Sequence, residues 1–143
     1  MKELQFDTGL VSYKVNGECE ISFNPGDLGF VKKLFDLFET LSSQQEKASK
    51  ENSDDVDGKA LFEITERLDA EMRSSIDGLF GAGVADTLFK NISVFALAGG
   101  FPLWANFLMA IIDEIDSNVV QEEKKSRERV DKYIQRYKAY RKK

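Results

Sequence analysis

Residues 91–112, NISVFALAGGFPLWANFLMAII, run for 22 positions without a charge in a chain that is 31% charged. A stretch of that length fits a bilayer span, a buried helix or a surface kept for a partner. Its interior favours the second. Gly99, Gly100 and Pro102 lie near its middle, where a proline removes an amide donor and interrupts a spanning helix, and Asn106 adds a polar amide. Trp104 is also central, whereas membrane tryptophans favour the interfaces. The flanks are Lys90 on one side and Asp113, Glu114 and Asp116 on the other, with no dense basic cluster. The run therefore divides at GGFP into a short helix around 94–98 and a long one from about Pro102, proline being tolerated in a first turn. Leu103, Trp104, Phe107, Leu108, Ile111, Ile112 and Ile115 leave the long helix almost no polar face, so it reads as the centre of the fold. Phe101, Trp104, Phe107 and Leu108 are its candidate groove or core residues.

Around this centre, 143 residues and 16.2 kDa fit one domain, able to bury ~68–70% of its unfolded surface without disulfides. Cys19 has no partner in the chain and reads as a small core residue, which points to a reduced cytoplasm. The start, MKELQFDTGL, lacks the long apolar core of a secretory signal, so the mature chain is expected to begin near Met1.

The fold class is α+β, mostly helical. Val11, Tyr13 and Val15, then Cys19, Ile21 and Phe23, alternate about Asn16-Gly17, which predicts an antiparallel β-hairpin within about 3–23. A loop of Val15-Asn16-Gly17 would set Tyr13 opposite Cys19, Val11 opposite Ile21 and Lys14 opposite Glu18, with both apolar sets on one face. Leu4 and Phe6 suggest an earlier strand before a turn at Asp7-Thr8-Gly9. Asn24-Pro25-Gly26 then stops the strand, and Asp27 can cap a helix over about 28–50. Its apolar stripe ends at Leu41, so the helix is expected to fray through the polar 42–57 into a connection tolerant of insertions. A helix over 58–77 follows, with Leu61, Ile64, Leu68, Met72 and Ile76 on one stripe, then another over about 84–98 and the long one over 102–120.

Charge separates the C-terminus from this domain. Residues 1–123 hold 10 cations and 23 anions, net −13, and residues 124–143 hold 10 and 2, net +8. Val130, Tyr133, Ile134, Tyr137 and Tyr140 fall on one helical stripe of that basic tail. Tyrosines at this spacing suit a packing face, and the acidic body offers a counterpart within the chain or on a sister subunit. A homo-oligomer is expected. Aromatics among cations can also stack on unpaired bases, but the acidic body argues against nucleic acid as the partner.

Catalytic chemistry finds little footing. The chain contains no His, which removes histidine-based triads, imidazole metal sites and proton shuttles near neutral pH. The groups Asp113, Glu114, Asp116 and Glu63, Glu66, Glu71 lack calcium-loop spacing and read as acidic helix surface. The glycines of DGLFGAG, 77–83, lack the Gly-Lys-Ser/Thr ending of a phosphate loop and read as a turn. No enzyme activity, metal or cofactor is expected.

Taken in order, FNPGDLGFVKKLFDLF, EMRSSIDGLFG and ALAGGFPLWANFLMAIIDEID resemble a family of small tail assembly chaperones encoded by phages and prophages of Gram-positive bacteria. The resemblance spans roughly residues 3–138. It implies a cytoplasmic assembly factor that coats the long apolar tape measure protein until tail tube subunits polymerise around it, and it carries over no individual binding residue. A structural tail or head-tail completion protein, or a small DNA-binding regulator using the basic tail, are the alternatives.

Overall fold

The computed structural model describes residues 1–51 and 58–141. Strands β1 (Val11–Val15) and β2 (Cys19–Phe23) form the hairpin. Its pairs are Val11 with Phe23, Tyr13 with Ile21 and Val15 with Cys19, two residues away from the expected register. The reason lies in the turn. Asn16 and Gly17 both take left-handed backbone, φ 51° and 71°, so these two residues centre the turn and Val15 stays in the strand. The amide of Glu18 closes on the carbonyl of Val15 at 3.1 Å. A shift of two keeps every side chain on its face, and Cys19, Ile21 and Phe23 are all buried.

No strand precedes this hairpin, and Leu4 and Phe6 are exposed. The turn at Asp7-Thr8-Gly9 does form: Gly9 N–H donates to Asp7 Oδ1 at 2.8 Å, and Asn24 Nδ2 donates to the Thr8 carbonyl at 2.9 Å. It ties the chain to the end of β2 and does not fold residues 1–6 back along β1. Gly9 has φ 71°, and a Cβ there would meet Asn24 Nδ2 at 2.6 Å.

Helix α1 (Leu28–Glu51) starts where expected, with Gly29 N–H on Asp27 Oδ1 at 2.9 Å. It does not fray at Ser42. Gln45 Oε1 accepts a hydrogen bond from Trp104 Nε1 at 3.0 Å, and Ala48 is buried, so tertiary contacts hold the polar turns helical. The rest of the expected connection, 52–57, lies outside the described residues.

Helix α2 (Gly58–Phe80) runs three residues past its expected end. A glycine inside a helix costs only about 1 kcal/mol, and continuing through Gly78 places Phe80 edge-on to Phe30 and Phe107, at 6.2 and 5.2 Å between ring centres. Gly81, at φ 125°, ends it.

Helix α3 (Val84–Phe89) is six residues long where a helix to 98 was expected. Side chains of α2 explain the early stop. Asp69 Oδ1 accepts the Val94 amide at 2.7 Å, and Arg73, paired to Asp69 and Asp86, donates from Nη2 to the Ile92 carbonyl at 2.7 Å. With its backbone satisfied this way, the segment after Phe89 needs no helix. Gly99 and Gly100, both left-handed, then turn a short hairpin of β3 (Leu97–Ala98) and β4 (Phe101–Pro102) where a helix was expected over 94–98.

Helix α4 (Leu103–Arg141) follows directly and spans 39 residues, about 58 Å at 1.5 Å per residue. The expected division between a helix over 102–120 and a separate tail is absent, because 117–127 contains no Gly or Pro and is rich in good helix formers. Its first half crosses the core, where Leu34, Leu41, Leu68, Met72, Ile76, Val94 and Leu108 are fully buried. An aromatic series, Tyr13 to Phe23 to Phe30 to Phe80 to Phe107 to Phe89, joins the hairpin to α1, α2, α4 and α3. No helix among the described residues is long and apolar enough to cross a membrane.

Candidate partner-binding surfaces

The second half of α4 leaves the body. Every side chain from Gln121 to Ala139 is exposed, so the basic tail does not fold back on its own acidic domain. Val130, Tyr133, Ile134 and Tyr137 share one face with exposures between 46 and 65%, high for large apolar side chains grouped on a single helix. Arg129 and Arg136 hold their guanidinium groups 5.8 and 5.6 Å from the centre of the Tyr133 ring. Hydrogen bonding and charge from Arg129, then the charge of Arg136, lower the pKa of the Tyr133 phenol below 10.0. Tyr140 is also in the helix.

A second apolar surface lies on the body. Val15, Leu88, Phe89, Ile92, Leu103 and Phe107 line a groove between the β1–β2 turn, α3 and α4. Asn106 stands in its wall and donates from Nδ2 to the Ala98 carbonyl at 2.9 Å, which fixes the β3–β4 hairpin beside it. That hairpin exposes Leu97, 72% accessible, and Phe101.

The four residues expected as groove or core therefore separate. Trp104 and Leu108 are core, Phe107 is buried in the core while lining the groove, and Phe101 is exposed on the hairpin. Trp104 also packs edge-on against Phe38 at 5.5 Å. Ile92, Leu97 and Leu88 were not expected at a groove from sequence. The first two sit within the uncharged run, where apolar content signals core and carries no mark of exposure.

Asp77 and Glu114 are engaged in structural hydrogen bonds. In the DGLFGAG turn, Asp77 accepts the Gly83 amide at 3.0 Å and the Ala85 amide at 2.8 Å, filling the place an anion would take. Glu114 accepts the Tyr13 hydroxyl at 3.2 Å. Burial, then the charge and hydrogen bond of Glu114, raise the pKa of that phenol. Glu63, Glu66 and Glu71 are exposed along α2. Among the described residues no group of three or more His, Cys, Asp or Glu is placed to hold a metal ion. No protein-family model, curated protein or solved structure matches the chain.

Proposed function

We propose that this chain is a non-catalytic phage tail assembly chaperone, which keeps the tape measure protein soluble in the bacterial host cytoplasm until tail tube subunits enclose it. The observation that carries the reading is the apolar groove of the body, flanked by exposed Ile92, Leu97 and Phe101. A long helical client presents apolar side chains every three or four residues, and a groove of this kind accepts one such face. Repeated weak contacts along the client gain strength when the chaperone is itself multivalent. The three sequence segments that resemble the chaperone family support the same role.

Co-expression with the tape measure protein of the same phage tests it. The wild-type chain should hold that client in the soluble fraction and be absent from purified virions by mass spectrometry. Ile92→Asp with Leu97→Asp changes two exposed side chains, so the fold should persist while client capture is lost. Capture undiminished in this variant refutes the groove as the binding surface. Stoichiometric presence in mature tails instead identifies a structural component.

A further inference from the structure

Residues 1–8 are exposed throughout, with Leu4 95% and Phe6 83% accessible. Leu4 and Phe6 alternate with Glu3, Gln5 and Asp7, the pattern of a strand with one apolar face. Strand β1 has the converse lack. It pairs with β2 alone, and its inner face is open: Cys19, Ile21 and Phe23 on β2 are 3–9% accessible, while Val11 on β1 is 39%. A cleft of about 200 Å³ lies beneath β1, lined by Tyr13, Val15, Ala110 and Glu114 among others. We propose that two copies of this chain exchange their N-terminal arms, residues 3–6 of each adding as a third strand, antiparallel, to the free edge of β1 in the other.

The turn before β1 directs the arm away from its own chain. Asn24, just past β2, donates to the Thr8 carbonyl, and Gly9 turns at φ 71° with its amide on Asp7 Oδ1. Thr8 is thereby held on the β2 side of the hairpin, away from the free edge of β1.

Alternation and charge fix the register. The apolar faces match only when even-numbered arm residues meet odd-numbered β1 residues. Antiparallel, Leu4 opposite Tyr13 sets Phe6 opposite Val11, Gln5 opposite Ser12 and Glu3 opposite Lys14. Lys14 already faces Glu20 across the hairpin, so three strands carry carboxylate, ammonium and carboxylate in a row. A shift of two in either direction puts Gln5 or Met1 against Lys14 and loses the pair. A parallel arm with both apolar residues on β1 would oppose Lys14 with Gln5 or Asp7, and Asp7 already accepts the Gly9 amide. Lys2 falls opposite Val15 at the turn end, where its long stem reaches solvent.

The area is sufficient. Covering Leu4 and Phe6 hides about 300 Å² of each arm and a similar area of the edge beneath it, so two reciprocal arms hide about 1,200 Å², the lower end of stable interfaces. The exchange also covers an exposed edge strand, which folded proteins seldom leave open. It stands whatever the body groove binds.

The full chain without client tests the proposal. Light scattering should give a dimer, and Leu4→Ser with Phe6→Ser, both exposed in the single chain, should give a folded monomer. Residues directly opposed in an antiparallel pair have Cα atoms about 4.5–5.5 Å apart, within disulfide reach. An equimolar mixture of Gln5→Cys and Ser12→Cys should therefore form a disulfide-linked dimer far faster than either variant alone, and a chain carrying both changes should link to its partner. Glu3→Lys alone and Lys14→Glu alone should each raise the dimer dissociation constant about 3- to 10-fold, since two surface ion pairs per dimer become repulsive. Mixing these two should restore dimerisation, because the mixed dimer holds one native pair and one inverted pair. A monomeric wild-type chain, a disulfide confined within the chain carrying both cysteines, or a charge-swapped mixture no tighter than its parts overturns the proposal.

Discussion

Trp104→Ala probes the centre of the domain. The indole is 4% exposed, donates to Gln45 Oε1 at 3.0 Å and meets the Phe38 ring edge-on at 5.5 Å. Removing a buried Trp typically costs about 3–5 kcal/mol through lost transfer energy and the cavity left behind. The edge-on ring pair accounts for about 0.5–1.5 kcal/mol of such a loss. Against a typical domain stability of about 5–15 kcal/mol, this loss removes a large share of the margin. Trp104→Phe keeps most of the volume and the contact with Phe38 but loses the hydrogen bond, so it should cost about 1–2 kcal/mol. Each kcal/mol shifts the melting temperature by about 4 °C for a chain of this size. The expected losses are therefore about 4–8 °C for the phenylalanine and 12 °C or more for the alanine. Calorimetry is the suitable assay, because the exposed half of α4 contributes helix signal that need not melt with the body. An unchanged transition in Trp104→Ala would refute the placement of this side chain in the core. So would a wild-type chain that leaves the cell only in detergent.

Two further outcomes follow from particular contacts. Asp77→Ala removes the acceptor of the Gly83 and Ala85 amides and should cost about 1–2 kcal/mol, read as a melting shift of about 4–8 °C; an unchanged transition shows that α3 does not depend on this cap. In an alkaline titration that follows each ring separately by NMR, Tyr133 should ionise below 10.0 and before Tyr13. Arg129→Gln should move the early step upward. Because the folded pKa of Tyr13 is raised, its contribution to stability is complete below 10.0 and is lost as pH rises through the folded value. The reverse order of ionisation would refute both environments.

The parts of the fold legible in the sequence are those set by local chemistry. Asp27 caps α1 because a short carboxylate precedes a strong apolar stripe, and the hairpin faces follow from strict alternation. The parts that were not legible are set by side chains arriving from elsewhere. Nothing local to 84–98 marks Phe89 as the end of a helix; the stop comes from Asp69 and Arg73 on α2, about twenty residues earlier. Nothing local to Ser42 keeps α1 helical; Trp104, 59 positions away, does so through Gln45. The hairpin register turned on the turn itself, which Asn16 and Gly17 centre with left-handed backbone and which closes from Glu18 to Val15.

Exposure was harder to read than structure, since burial is a property of what surrounds a residue. Phe101 and Leu97 belong to the same uncharged run as Trp104 and Leu108, yet the two left-handed glycines between β3 and β4 carry them to a hairpin tip and out of the core. The tail presents the converse case. Its stripe at 130, 133, 134 and 137 was visible from spacing, but a separate segment free to dock on its own domain has different consequences from a rigid continuation of the central helix. Continuity removes that freedom: a helix leaving the body in line with its core half cannot reach back to the acidic surface of the same chain without breaking. The stripe therefore stays open in the single chain, with Val130, Tyr133, Ile134 and Tyr137 all exposed along one rigid helix.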